Sequence, residues 1–479
     1  MTDNSLAVHR AVVRHGATPL ADVADLRIDT GRPLTIVGES GSGKSLLAHA
    51  LMGTLPPELA VEGSMTIGST RFDLADRSGR RHLWGRRLAM LPQEPALALD
   101  PTMLVRGQVA EGAPGWRPGD VAALRLAHEK LDHLGLAHAG SAYPHTLSGG
   151  MAQRVAYAAA TIGGARLLIV DEPSKGLDPG SLDRLADLLA AHVADGGLLL
   201  TITHDLRLAR RLGGDVLVMR DASVVEAGPA ERVLTTPSTD YTKRLLAAEP
   251  SRWSFPWMAN AAAADPTAEP LVAAHGITKS YGDTAVFQDV SLEIRPGERW
   301  ALTGPSGVGK TTLGNALLRL TSVDRGTVGY GDVTRGRLQK LYQDPALSFP
   351  GRVPLERAMR DVMRRHGADE ARVRSLLGEV GLPLEILSRR PDQVSGGELQ
   401  RIAIVRAMLP RPVLIFADEA TSRLDLLTQE TTMDSLMTEV AGSGCALLLV
   451  THDPDLATAV TDHQVRLGQD RSALLEPAV

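Results

Sequence analysis

A chain of 479 residues with 43% hydrophobic and 22% charged side chains can build two large or three ordinary cores, which excludes wholesale disorder. Its 51 Lys and Arg against 56 Asp and Glu give a net charge of −5, and this argues against nucleic acid as a main partner, because phosphate neutralisation needs a basic face. The single cysteine, Cys445, excludes an intrachain disulfide framework and any Cys-rich zinc or iron–sulfur site, and points to a reducing compartment.

No apolar run approaches the roughly 18 residues of a membrane span. The N-terminus, with Asp3 and Asn4, carries no apolar signal core. The chain is therefore expected to be soluble and to meet a membrane only through a partner.

In chain order, the apolar run 34–37 predicts a strand, and residues 38–45 read Gly-Glu-Ser-Gly-Ser-Gly-Lys-Ser. This pattern, Gly-x4-Gly-Lys-Ser/Thr, is a phosphate-binding loop. Its glycines let successive N–H groups point at a phosphate, and the following helix adds its positive end. Gly38, Ser40, Gly41 and Gly43 would line that loop. Lys44 would neutralise the β and γ phosphates, and Ser45 would offer a hydroxyl to Mg²⁺.

Further along stand Gln93-Glu94-Pro95, then Ser148-Gly149-Gly150 with Gln153-Arg154, a buried strand ending at Asp171-Glu172, and a later strand ending at His204-Asp205. The second half repeats these landmarks in the same order. They are Gly304 to Thr311 (Gly-Pro-Ser-Gly-Val-Gly-Lys-Thr), Gln343-Asp344-Pro345, Ser395-Gly396-Gly397 with Gln400-Arg401, Asp418-Glu419, and His452-Asp453. The Ser to Asp interval is 23 residues in both halves (148 to 171, 395 to 418), and Asp to His is 33 and 34. Lys to Gln is 49 in the first half (44 to 93) and 33 in the second (310 to 343), so the first half holds about 16 extra residues, expected near Arg77 to Arg87. Apolar runs alternating with helical stretches predict an α/β fold with a mostly parallel sheet in each half, and helical subdomains over about 103–146 and 353–393.

The second loop offers Gly304, Ser306, Gly307, Gly309, Lys310, Thr311 and Thr312 for ATP. An aspartate ending a buried strand is costly unless a cation compensates it. Asp171 and Asp418 are therefore candidate Mg²⁺ ligands, with Ser45, Thr311, Gln93 and Gln343 as further ones. Glu172 and Glu419 stand where a carboxylate could take a proton from attacking water, and His204 and His452 could orient that water. The histidines 128, 133, 138 and 145 do not build a metal site in this reading, because five-residue steps scatter the rings around a helix.

These landmarks resemble the ATP-binding cassette ATPases, twice over nearly the whole chain. The resemblance implies two P-loop NTPase domains: a first cassette with a C-terminal docking tail over 1–248, a linker over 249–270, and a second cassette over 271–479. It implies that the cassettes pack head to tail, so that Ser148, Gly149 and Gly150 face the Lys310 loop, and Ser395, Gly396 and Gly397 face the Lys44 loop. It also implies that Asp178 and Asp425 lie in the loop that crosses such an interface. In register from His9 and His275, Tyr281 matches the aromatic that stacks on adenine, and its counterpart is His15. Both sites are expected to hydrolyse ATP with Mg²⁺.

Finer features resemble importer ATPases of the oligopeptide, dipeptide and nickel group: Leu99-Asp100-Pro101 after the first glutamine, and the tail from Gly228 to Pro250. The second cassette lacks that tail, and the cysteine cluster of some peptide-importer ATPases is absent. The implied role is a peripheral subunit on the cytoplasmic face of the cell membrane. It would energise two membrane permease subunits that work with an extracytoplasmic substrate-binding protein, importing peptides, nickel or a metal chelate. A soluble tandem cassette acting on ribosomes and a fused vitamin-type importer ATPase are the alternatives. The short Ala/Pro-rich linker and negative charge speak against the first, and Leu99-Asp100-Pro101 with the tail against the second. Trp253, Phe255 and Trp257 alternate before the linker and are expected to pin it to the surface of the first cassette.

Overall fold

In the first half of the chain the apolar runs pair in parallel, in the order Leu88–Leu91, Leu167–Asp171, Leu198–Ile202, Leu34–Gly38, Asp215–Arg220. Leu167–Asp171, Leu198–Ile202 and Leu34–Gly38 are buried at every position, which is why they read as unbroken apolar runs rather than alternations. Ser223–Pro229 closes this side antiparallel to Asp215–Arg220. A single parallel pairing, Ser223 with Asp22, joins it to an antiparallel group made of Ser5–His15, Thr18–Asp29, Ala60–Ile67 and Thr70–Asp73.

The computed structural model describes residues 5–174, 176–260, 265–468 and 473–477. They form two units, Met1–Leu246 and Ala247–Val479. The second unit repeats the parallel order as Leu338–Leu341, Leu414–Asp418, Ala446–Val450, Arg299–Thr303, His463–Leu467, with Ala473–Pro477 antiparallel at the edge. Its antiparallel group, Val272–Tyr281, Thr284–Ile294 and Arg325–Tyr330, is a separate three-stranded sheet.

In each unit one apolar cluster lies under the phosphate-loop helix and another fills the helical part. In the first unit these are built around Ile36, Leu47 and Leu51, and around Val109, Leu131 and Val155. In the second they are built around Leu302, Leu313 and Leu317, and around Met359, Leu376 and Ile402. The helical parts hold Val105–Glu111 and Val121–His133 in the first unit, and Leu355–His366 and Glu370–Glu379 in the second. Asp120 starts Val121–His133 by accepting from the N–H groups of Ala122 and Ala123.

The additional residues of the first unit form the strand Thr70–Asp73 and the 3₁₀ turn Ser78–Leu83. The turn carries Arg80, whose side chain is wholly buried. Its guanidinium donates to the carbonyls of Ala50, Asp73, Leu74 and Asp76 at 3.1, 2.6, 3.1 and 3.1 Å. Ala50 lies in the last turn of the helix Lys44–Met52, where a cation complements the free carbonyls.

The tryptophans lie elsewhere than their alternation in sequence predicts. Trp253 and Trp257 are 9% and 6% exposed and belong to the apolar core of the second unit, not to the surface of the first. Trp257 Nε1 donates to Asp434 at 3.0 Å, and its ring stacks on Phe255. Burying an indole whose N–H finds a carboxylate satisfies both halves of the side chain, and a surface strip would not. Residues 261–264 of the expected linker lie outside the described residues.

Candidate active sites

Each phosphate loop leaves a central parallel strand and turns sharply into a helix, and the turn needs positive φ. Gly38, Gly41 and Gly43 have φ of 151, 81 and 95°; Gly304, Gly307 and Gly309 have 136, 78 and 109°. At Gly43 a Cβ would stand 2.2 Å from the carbonyl of Leu20, and at Gly309 one would stand 2.4 Å from Val286 Cγ1. The second strand of each antiparallel hairpin therefore presses against the loop.

Lys44 and Lys310 are both buried to 5% exposure. Lys44 Nζ donates to Gly38 and Glu39 carbonyls at 2.8 and 2.6 Å; Lys310 Nζ donates to those of Gly304 and Pro305 at 2.9 Å each. Each ammonium is thus held against the floor of its loop, where a polyphosphate bound by the backbone N–H groups would meet it.

Ser45 Oγ donates to Asp171 Oδ1 at 2.9 Å, and Thr311 Oγ1 donates to Asp418 Oδ1 at 2.9 Å. A hydroxyl and a carboxylate oxygen side by side are hard donors of the kind Mg²⁺ takes when phosphates supply the rest of its shell. Burial pushes the Asp171 carboxyl above its usual range, against the bond from Ser45. A carboxylate in that position gains from a cation, so the residues present fit Mg²⁺.

Glu172 and Glu419 follow directly, with φ of 47 and 51°. Non-glycine residues hold that conformation only where their surroundings over-determine it, and both units hold it at the same place. Glu172 Oε2 lies 2.7 Å from His204 Nδ1, and Glu419 Oε1 lies 2.6 Å from His452 Nε2. Burial alone would raise the Glu172 carboxyl, but the charge and hydrogen bonds of His204 hold it below the ordinary range. Burial would lower the His204 imidazole, and Glu172 outweighs this and raises it. Both shifts favour the charged pair, with Glu172 in the acceptor form a base requires. His452 Nδ1 is buried with no hydrogen-bond partner among the described residues, so a further polar group would be satisfied there.

The two glutamines are placed differently. Gln343 Nε2 donates to Glu419 Oε2 at 2.7 Å, whereas Gln93 is exposed. Neither is at hydrogen-bond distance to its unit's Asp in the bonds observed. Tyr281 and His15 occupy equivalent places. Each ends the first strand of its hairpin, each is followed by a glycine with φ of 57°, and each precedes by five residues the one that presses on the phosphate loop, Leu20 or Val286. Tyr281 is 58% exposed and His15 is exposed.

Ser148 and Ser395 are exposed N-caps of the helices Gly149–Thr161 and Gly396–Met408. Ser395 and Glu398 cap reciprocally, and Met151 denies the first turn that arrangement. Asp178 and Asp425 cap the next long helices, Pro179–Ala194 and Leu426–Ser443. Sequence reasoning missed why the second glycine of each turn is needed. A Cβ at Gly150 would stand 2.7 Å from Ser181 Oγ, and one at Gly397 would stand 2.4 Å from Thr428 Cγ2, so the turn lies against the start of that capped helix. Ser181 and Thr428 follow Asp178 and Asp425 by three residues, and that matched interval was the available signal.

Comparison with known proteins agrees with this geometry. The profile of the family described as ABC transporter matches residues 21–175 and 287–422. The chain is 33% identical to the uncharacterized ABC transporter ATP-binding protein YejF of Escherichia coli, over 97% of this chain and 94% of that protein. It is 34% identical to the peptidoglycan transport ATP-binding protein YejF of Agrobacterium fabrum, over 99% and 92%. It is 32% identical to the glutathione import ATP-binding protein GsiA of Salmonella choleraesuis, over 93% and 81%. Among solved structures, RNase-L Inhibitor shares the fold at a TM-score of 0.69 and 21% identity, covering 98% of this chain and 90% of that one. The chain belongs to the ABC transporter family, as a tandem pair of α/β P-loop cassettes with ATPase function.

Proposed function

We propose that the chain binds and hydrolyses Mg·ATP at two sites and thereby energises a membrane importer whose cargo contains peptide. The observation that carries the hydrolytic part is the repetition, in both units, of a Ser/Thr–Asp contact at 2.9 Å beside a Glu–His contact at 2.6 to 2.7 Å. The cargo class rests on the relatives named for glutathione import and peptidoglycan transport, and these favour peptides over nickel or a metal chelate. The likeness to RNase-L Inhibitor, at 21% identity, is one of fold and lends the ribosomal reading no partner.

In this reading Lys44 and Lys310 pair with the β and γ phosphates, and the loop N–H groups hold them in place. Ser45 with Asp171, and Thr311 with Asp418, would hold Mg²⁺, which supplies charge neutralisation to the phosphates when bound. Glu172 and Glu419 accept the proton of the attacking water, and the contacts from His204 and His452 aim those carboxylates. Gln343, bonded to Glu419, links the second site to the helical part, and Gln93 is the matched residue of the first site. Tyr281 and His15 stack on adenine. Each Ser-Gly-Gly turn, Ser148 to Gly150 and Ser395 to Gly397, contacts the phosphates of a bound nucleotide. Their exposure at the N-termini of 13-residue helices supports this, since such ends attract phosphate.

The partners in this reading are two permeases and an extracytoplasmic binding protein, with the chain on the cytoplasmic face. No helix among the described residues is long and apolar enough to cross a membrane. Leu97 and Leu347, four residues beyond Gln93 and Gln343, are 80% and 70% exposed. Behind Leu347 runs a cleft of about 700 Å³ lined by Phe349, Pro350, Val362 and Arg365. An apolar tip beside a cleft suits a cytoplasmic helix of a permease.

The test is reconstitution with the permeases and the binding protein in liposomes. ATPase stimulation by binding protein loaded with glutathione or a short peptide is expected. Stimulation by ribosomes, and none by the loaded complex, would overturn the reading.

A further inference from the structure

The two sites differ in one buried charge. In the second unit Lys340, on the strand Leu338–Leu341, lies beside the candidate Mg²⁺ ligand. Its Nζ is 2.9 Å from Asp418 Oδ2, and both side chains are about a tenth exposed. It also donates to Asn315 Oδ1 at 3.0 Å, and it stands 5.0 and 5.1 Å from the ring centroids of Phe416 and Tyr342. With Thr311 on Oδ1, both oxygens of Asp418 are engaged.

The matched positions of the first unit hold none of this. Paired strands put Met90 where Lys340 stands and Ile169 where Phe416 stands. Counting from the loop lysines and from the glutamines, His49 replaces Asn315 and Pro92 replaces Tyr342. Gly314 completes the set. A Cβ there would stand 2.1 Å from Phe416 Cζ, so the ring fits only over a glycine, and the first unit has Ala48 at that place. A carbonyl oxygen, two aromatic faces and a carboxylate around one ammonium form a built cation cage, which an incidental surface pair would lack.

We propose that Lys340 is a resident counter-ion of Asp418 that weakens Mg²⁺ binding at the Lys310 site, so that the two sites hold nucleotide with unequal demand for divalent cation. A carboxylate already shared with an ammonium has less charge to offer, and the ammonium repels an incoming dication across a short, poorly screened distance. At the Lys44 site Met90 stands at the strand position of Lys340, so Asp171, bonded to Ser45, receives no ammonium from that strand. Lys340 acts through Asp418 and is a positioning residue. The inference rests on the reading of both loops as Mg·ATP sites.

The test uses the full chain with one loop silenced at a time, Lys44→Ala or Lys310→Ala, and Mn²⁺ as the spin-active probe in the presence of ATP. Electron paramagnetic resonance titration should find Mn²⁺ bound about tenfold or more weakly at the Lys310 site than at the Lys44 site. Lys340→Met should close that gap, Lys340→Arg should preserve it, and Met90→Lys should weaken Mn²⁺ at the Lys44 site. The first-site variant keeps the test decisive if Lys340→Met fails to fold. Equal Mn²⁺ affinity at the two sites, unmoved by either lysine exchange, overturns this inference alone. Absence of nucleotide-dependent Mn²⁺ binding at both sites overturns the parent reading with it.

Discussion

The phenol oxygen of Tyr241 accepts a hydrogen bond from the backbone N–H of Glu39 at 3.3 Å, so the tail helix Asp240–Ala247 touches the first phosphate loop. Arg220 lies over the same ring, 4.9 Å from its centroid. In the second loop Pro305 stands at the place of Glu39 and has no N–H to give. The tail read from the sequence as a docking segment is thus wired to one loop.

Tyr241→Phe keeps the ring over Arg220 and removes the acceptor. A neutral hydrogen bond contributes about 1 kcal/mol net, so ATP affinity at the Lys44 site should fall by up to about fivefold. Nucleotide titration in a Lys310→Ala background reads this directly. The Lys310 site, titrated in a Lys44→Ala background, should be unmoved.

The base of the same tail depends on pH. The Glu226 side chain is 2% exposed and accepts from the N–H and hydroxyl of Ser238 at 2.9 and 2.8 Å and of Thr239 at 3.2 and 3.1 Å, with Arg232 at 3.3 Å. Burial opposes its charge, and these donors outweigh burial and hold the carboxyl at about 2. A depressed carboxyl contributes stability that is complete above its unfolded value near 4.5 and is lost as pH falls toward 2. Glu226→Gln should therefore destabilise the first unit at pH 7 by at most about 3 kcal/mol, and the difference from the parent should shrink toward pH 2. A gap in unfolding midpoint that is the same at pH 7 and pH 3 would contradict this.

Trp257 offers a stability test in the second unit. Trp257→Ala removes a nearly buried indole and strands Asp434, and should cost about 3–5 kcal/mol. Trp257→Phe keeps most of the packing and should cost less. Denaturant titration followed at a probe in the second unit distinguishes them.

The loops, the Asp-Glu pairs and the parallel strand runs were legible because each is a local pattern whose copy recurs at matched spacing. What stayed hidden are contacts between residues far apart in sequence. Arg80 under Ala50, Tyr241 on Glu39 and Lys340 on Asp418 leave no periodic trace. The tryptophans misled for a related reason: an alternating aromatic strip looks alike whether it faces a surface or enters a core, and only Asp434 decides it. The antiparallel hairpins also escaped notice, since their strands carry polar residues on one face.

The most direct measurement of the central claim is steady-state ATPase activity of the Glu172→Gln/Glu419→Gln double variant, with ATP binding measured on the same sample. Removing a general base costs about 10²- to 10⁴-fold in rate, so turnover should collapse to that extent while ATP affinity is preserved. Turnover near that of the parent protein would show that neither glutamate activates water, and would contradict the assignment of both sites.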